Sequence, residues 1–170
     1  MERTGVVTLR GNPMTLVGPE LKKGDKAPDF KLLDGGLKPV GLADFKGLIK
    51  LVSVVPSLDT PICELQTVRF TEEADKLPER VVILTVSVDL PFSQSRFCTS
   101  HGTDRVKLLS DYLTTDFGKA YGVLMKEVRL LARSIFVVGR DDVILYAEIV
   151  PEVGTHPDYD AALKAVRAAL

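Results

Sequence analysis

Two runs of eight residues, Leu48 to Val55 (LIKLVSVV) and Val81 to Val88 (VVILTVSV), are almost continuously apolar and rich in β-branched side chains. A strand that faces water on one side alternates apolar with polar residues, and these two do not. They therefore read as strands covered on both faces, the pattern of a largely parallel sheet with helices above and below it. Parallel neighbours need a crossover connection. The intervening segment supplies one, because Cys63, Phe70, Ala74 and Leu77, at spacings of 7, 4 and 3, share one face of a helix.

The rest of the chain extends this β-α-β unit. Pro91 to Ser100 has proline at its start and Gly102 beyond its end, the punctuation of a short helix. Val106 to Ser110 reads as a further strand and Asp116 to Tyr121 as a helical turn. Ser134 to Val138 and Val143 to Ile149 flank Gly-Arg-Asp-Asp at 139–142, which predicts an antiparallel hairpin. Tyr159, Leu163, Val166 and Leu170 share a helical face, with Asp158 as its N-cap. Ahead of all this, Val6 to Leu9 and Met14 to Val17 flank Gly11-Asn12-Pro13 and predict a second hairpin, an appendage to the main fold. The expected class is α/β, a thioredoxin-like fold with a central mixed sheet flanked by helices and an N-terminal β-hairpin. The 170 residues are the length of one domain, read as 1–170 with residues 1–18 as the hairpin extension.

Charge excludes some functions. With 22 basic against 23 acidic side chains and a formal net charge of −1, nothing draws the chain to nucleic acid or to an anionic membrane. No apolar run has the length of a membrane span or a secretory signal, and a cytoplasmic location is the expectation. Only two cysteines are present, too few for a disulfide framework and enough for one redox pair.

Cys63 follows a strand-to-helix turn, Pro56-Ser57-Leu58-Asp59-Thr60-Pro61-Ile62-Cys63. Pro61 suits the first helical position and Thr60 becomes the N-cap, so Cys63 lies in the first turn. Unpaired N–H groups and the positive end of the helix dipole favour a thiolate there. A small buried hydrophobe is the competing reading of Cys63. Thr60 alone could be an ordinary cap, and Pro56 could simply end its strand.

Pro56-x-x-x-Thr60-x-x-Cys63 resembles the active-site motif of the peroxiredoxins, and Ser57-Leu58-Asp59-Thr60-Pro61-Ile62-Cys63-Glu64 is similar to their thiol peroxidase subfamily. The N-terminal hairpin, a second cysteine 35 positions on and Leu131-Ala132-Arg133-Ser134 before a strand extend the likeness over nearly the whole chain. The resemblance implies that Cys63 is the peroxidatic cysteine, that Thr60 hydrogen-bonds sulfur and peroxide, that Pro56 shields the site, and that Arg133 stabilises thiolate and transition state. It implies that Cys98 resolves the Cys63 sulfenic acid as an intramolecular disulfide, which thioredoxin reduces. A homodimer and hydroperoxide substrates, organic or hydrogen peroxide, follow from the same likeness, with no cofactor and no metal. From the residues alone, Arg133 reads as solvated, and the resemblance moves it to the site but not into the core. Cys98 alone reads equally as a packed helical residue.

Other functions stay open at this point. A thiol-disulfide oxidoreductase would carry Cys-x-x-Cys, and position 66 is Gln. A non-enzymatic α/β binding domain with two buried cysteines needs no reactive thiol. A metal site from Cys63, His101 and His156 is the weakest reading, because its ligands lack paired spacing at both ends.

Overall fold

The computed structural model describes residues 1–101 and 105–170; Gly102, expected to follow the second helix, lies outside them. The chain opens with β1 (Glu2–Leu9) and β2 (Asn12–Val17), an antiparallel hairpin whose turn is Arg10-Gly11. Both turn residues have positive φ, 51° and 79°, the backbone a tight two-residue hairpin requires. Asn12 and Pro13 are therefore paired strand residues and not the turn the sequence predicts. Two short strands follow, β3 (Leu32–Leu33) and β4 (Pro39–Val40), then a 3-10 turn at Leu42–Phe45.

The first apolar run is β5 (Ile49–Val54), followed by α1 (Pro61–Ala74) and the second run, β6 (Val81–Ser87). Next come α2 (Pro91–His101), β7 (Val106–Ser110), α3 (Asp116–Ala120) and β8 (Leu124–Met125). The hairpin β9 (Ser134–Val138) and β10 (Ile144–Ile149) leads to α4 (Tyr159–Ala168). Asp158 caps α4 as expected, accepting the Ala161 N–H at 3.0 Å. Leu170 lies past the helix end and is exposed, so the apolar face of α4 stops one turn earlier than its spacing predicts.

Seven strands form one sheet in the order β10-β9-β5-β6-β7-β3-β4. β5, β6 and β7 run parallel, while β9 lies antiparallel against β5. Alternate residues of the central strands enter two different cores. Val52, Val54, Val82, Leu84, Val86 and Phe136 pack with α3 on one face, and Ile49, Leu51, Ile83 and Ile135 pack with α1 and α4 on the other. This two-sided burial is why the runs carry no polar alternation.

The N-terminal hairpin is less peripheral than its sequence suggests. β2 pairs with β8 to make a three-stranded sheet, and Val7 and Leu16 are buried in the α3-side core. One charged side chain also lies wholly inside. Lys50 on β5 donates to the Gly139 carbonyl and pairs with Asp142, so the β9–β10 turn closes over its ammonium.

Candidate active site

The site forms where β5 ends and α1 begins. Pro56 sits in the bend after β5 and is buried. Thr60 takes the N-cap backbone conformation, and the first helical bond runs from the Glu64 N–H to its carbonyl at 3.0 Å. Its side chain does not cap the helix, however. The Thr60 hydroxyl donates to the Ser57 carbonyl at 3.1 Å and is exposed. The proline at the first position needs no partner for its nitrogen, which leaves the turn free to present Cys63 inward.

Cys63 is completely buried, in the α1-side core. Against its sulfur lies Arg133, whose Nη2 is 3.2 Å from Cys63 Sγ. Arg133 is only 2% exposed, which corrects the expectation that it stands outside the core. Burial is possible because each of the three guanidinium nitrogens has an acceptor. Nε donates to the Val153 carbonyl at 2.8 Å and Nη1 to Gln66 Oε1 at 2.8 Å. Gln66 is itself oriented, its Nε2 donating to Ser53 Oγ at 2.7 Å. Among the described residues no carboxylate pairs with Arg133. A buried cation held only by neutral acceptors is costly unless an anion joins it, and the one polarisable group at hand is the Cys63 sulfur.

Gln66 was legible only as the absence of a second cysteine in Cys-x-x-Cys. Its position three residues after Cys63 places it on the same side of α1, and the side chain that occupies the position orients the arginine. Val153 and Ser53 carry no local signal at all, since one contributes a backbone carbonyl and the other a strand hydroxyl.

Cys98 is half-buried in the last turns of α2 and packs against the cluster that contains Cys63; both cysteines are free thiols. A groove of about 540 Å³ lined by Val40, Phe45, Val106 and Leu108 reaches Cys98. The two helices are joined near both cysteines by His101, whose Nε2 is 2.9 Å from Glu64 Oε1 while its ring stacks on Phe97 at 4.1 Å. His156 lies elsewhere, its Nδ1 2.7 Å from the Tyr159 hydroxyl. Each histidine thus has a partner of its own, and no group of three metal-ligating side chains gathers among the described residues.

The Redoxin family model matches residues 22–163. A thiol peroxidase of Halalkalibacterium halodurans is 53% identical over 164 residues, covering 96% of this chain and 98% of the relative. The chain belongs to the redoxin family, among its thiol peroxidases. A thiol peroxidase of Bacillus subtilis is 49% identical over 162 residues, covering 95% of this chain and 96% of its own. Among solved structures, a peroxiredoxin-like protein from Aquifex aeolicus superposes with a TM-score of 0.91 at 39% identity, covering 99% of this chain and 98% of that one. A thiol peroxidase from Chromobacterium violaceum gives a TM-score of 0.85 at 26% identity, each chain covered to 95%. The fold is thioredoxin-like and the enzyme is a peroxidase. No helix among the described residues is long and apolar enough to cross a membrane.

Proposed function

We propose that this thiol peroxidase reduces hydroperoxides through Cys63, with Cys98 as resolving cysteine and thioredoxin as reductant. The observation that carries the reading is the buried guanidinium 3.2 Å from the Cys63 sulfur. The Cys63 thiolate attacks the terminal peroxide oxygen; an S–O bond forms, the O–O bond breaks, and the leaving alkoxide or hydroxide takes a proton to become an alcohol or water. Cys63 is then a sulfenic acid. Charge grows on the departing oxygen, and fixed donors in a water-poor site stabilise it without reorganising. Arg133 is one such donor; in this reading the Thr60 hydroxyl turns from the Ser57 carbonyl to the peroxide when it binds, and Pro56 excludes water.

Cys98 next attacks the sulfenic sulfur, forming the disulfide and releasing water. Its partial exposure on the groove suits a thiol that must first meet Cys63 and afterwards be reached by a reductant. Because Cys63 is buried at the start of α1 and Cys98 lies late in α2, closure requires one helix end to unwind. A thioredoxin dithiol then returns both cysteines to thiols in a cytoplasmic setting, where structural disulfides are rare. Organic hydroperoxides and hydrogen peroxide are both substrates in this proposal. It extends to a homodimer, whose mass light scattering reads directly.

The cysteine variants separate the two roles. Cys63→Ser should reduce no peroxide. Cys98→Ser should still consume about one equivalent but lose turnover with thioredoxin, and excess peroxide should carry Cys63 to sulfinic and sulfonic acids. By intact mass, the wild type should lose about 2 Da on disulfide closure, while Cys98→Ser should gain steps of about 16 Da. Wild-type turnover by Cys98→Ser would overturn the two-cysteine cycle, and activity in Cys63→Ser would overturn the whole assignment.

A further inference from the structure

Asp89, just after β6, gathers the loop that leads into α1. Its Oδ1 accepts the Ser57 hydroxyl at 2.8 Å, and its Oδ2 accepts the Leu58 N–H at 2.8 Å and the Ser87 hydroxyl at 2.7 Å. Ser57 passes this anchorage on. Its Oγ accepts the Asp59 N–H at 3.2 Å, and its carbonyl accepts both the N–H of Thr60 at 3.3 Å and the Thr60 hydroxyl at 3.1 Å. Leu58 is buried in the same apolar cluster as Cys63, so the segment is fixed from two sides, by packing at Leu58 and by the carboxylate at its N–H. The Asp89 carbonyl in turn accepts the Ser110 hydroxyl, which ties the carboxylate's own backbone to β7.

A loop of irregular backbone holds one geometry only if its polar groups have fixed partners. Between Pro56 and Pro61, among the described residues, the side chain from outside the loop that fixes it is Asp89, beside the α1 bond from the Glu64 N–H to the Thr60 carbonyl. We infer that Asp89 is a positioning residue for peroxide attack: through Ser57 and Leu58 it sets where Pro56 and Thr60 stand relative to the Cys63 sulfur. The inference rests on the reading of Cys63 as the attacking nucleophile. Asp89 touches no reacting atom. Its effect is on orientation, and a displacement of about 1 Å in a reacting geometry costs on the order of 10²-fold in rate.

Two reactions of Cys63 distinguish this role from simple support of the fold. Peroxide attack needs the loop donors in place, whereas alkylation by iodoacetamide needs only an accessible, nucleophilic sulfur. With tryptophan absent, both are followed by rapid quench and peptide-resolved mass spectrometry at Cys63. Asp89→Ala should lower the rate of Cys63 oxidation by about 10- to 100-fold, while alkylation of the buried sulfur, which a loosened loop exposes more readily, should not fall. Asp89→Asn retains an oxygen for the Leu58 N–H, and the serine hydroxyls can turn to accept from its amide, so its peroxide rate should return to within about threefold of wild type. Ser57→Ala, which keeps Asp89 on Leu58, should fall between the two.

Peroxide oxidation of Asp89→Ala at the wild-type rate overturns the inference. So does a parallel loss of oxidation and alkylation that Asp89→Asn fails to restore, which marks a purely structural residue. Cys63→Ser runs alongside: peroxide consumption by that variant sinks the nucleophile reading itself, while an inert Cys63→Ser beside a fully reactive Asp89→Ala sinks the positioning role alone.

Discussion

Arg133 carries a permanent charge into a place where charges are expensive, and its geometry explains how. The guanidinium spends one N–H on the Val153 carbonyl and one on Gln66, and turns Nη2 to the sulfur. Removing it has two separable effects. Arg133→Ala should slow Cys63 oxidation by about 10²-fold, the loss that follows deletion of one fixed transition-state donor. It should also cost about 1–3 kcal/mol of stability, because a buried amide oxygen and a buried carbonyl lose their donor. Arg133→Lys keeps the charge but has no fork to span three acceptors, so it should recover part of the stability and less of the rate. Peroxide kinetics and urea midpoints on the same preparations read both effects. A stable, fully reactive Arg133→Ala would remove the arginine from the mechanism.

At the level of elements, α1 and α2 each bear a cysteine, and the contact that joins them lies beside both. His101 bonds Glu64, the residue after Cys63, and is itself three residues after Cys98. Its Nδ1 also faces the Phe97 carbonyl at 3.1 Å. Both partners are acceptors, and a neutral imidazole carries one N–H, so the neutral ring donates to one of them at a time. A disulfide between the helices has to break this arrangement if α2 unwinds from its C-terminal end. An interaction of this kind, partly exposed at a helix terminus, stabilises by about 1 kcal/mol. His101→Ala should accordingly speed disulfide closure about fivefold while leaving the first reaction with peroxide unchanged. Closure kinetics after a single-turnover dose of peroxide test it, and slower closure in the variant would show that the contact guides the helices together.

Across the whole molecule, the sheet separates two cores, and one titrating group sits at the margin of the α3-side core. Asp111, after β7, caps α3 by accepting the N–H groups of Phe117 at 3.1 Å and Gly118 at 2.8 Å. Burial pushes its carboxyl up to about 6, against the pull of those two N–H groups. A carboxyl whose folded value lies above its unfolded value of 3.8 binds a proton more tightly in the folded state. Its contribution to stability is therefore fully present in acid and is lost as pH rises to about 6, by up to about 3 kcal/mol for a shift of about two units. Asp111→Asn removes the titration. The stability difference between wild type and Asp111→Asn, from urea midpoints at pH 4, 5, 6 and 7, should move against the wild type with rising pH. A difference that stays constant over that range would contradict the assignment.

Some features of this chain are local and others are not. The strands of the central sheet, the start of α1 at Pro61 and the Asp158 cap depend on neighbours a few residues away, and pattern reveals such things. The motif around Cys63 is likewise contiguous, and so the resemblance it carries led to the family. The two-residue strands β3 and β4 are too short to leave a periodicity, and the hairpin turn begins one residue earlier than expected because Arg10 adopts a conformation usually left to glycine. Arg133 and its sulfur are 70 residues apart, Arg133 and Gln66 are 67 apart, and Asp89 is 32 from Ser57. No spacing rule spans such distances. An α/β chain with a cysteine at a helix start follows from the order of residues alone, because those features are written in adjacent side chains. The burial of an arginine against that cysteine, with Gln66 and Val153 each accepting one more of its N–H groups and Asp89 holding the loop beside it, depends on the folded chain. Those are contacts made when β5, β6 and β9 come side by side, and their energies depend on burial that exists only after the sheet has formed.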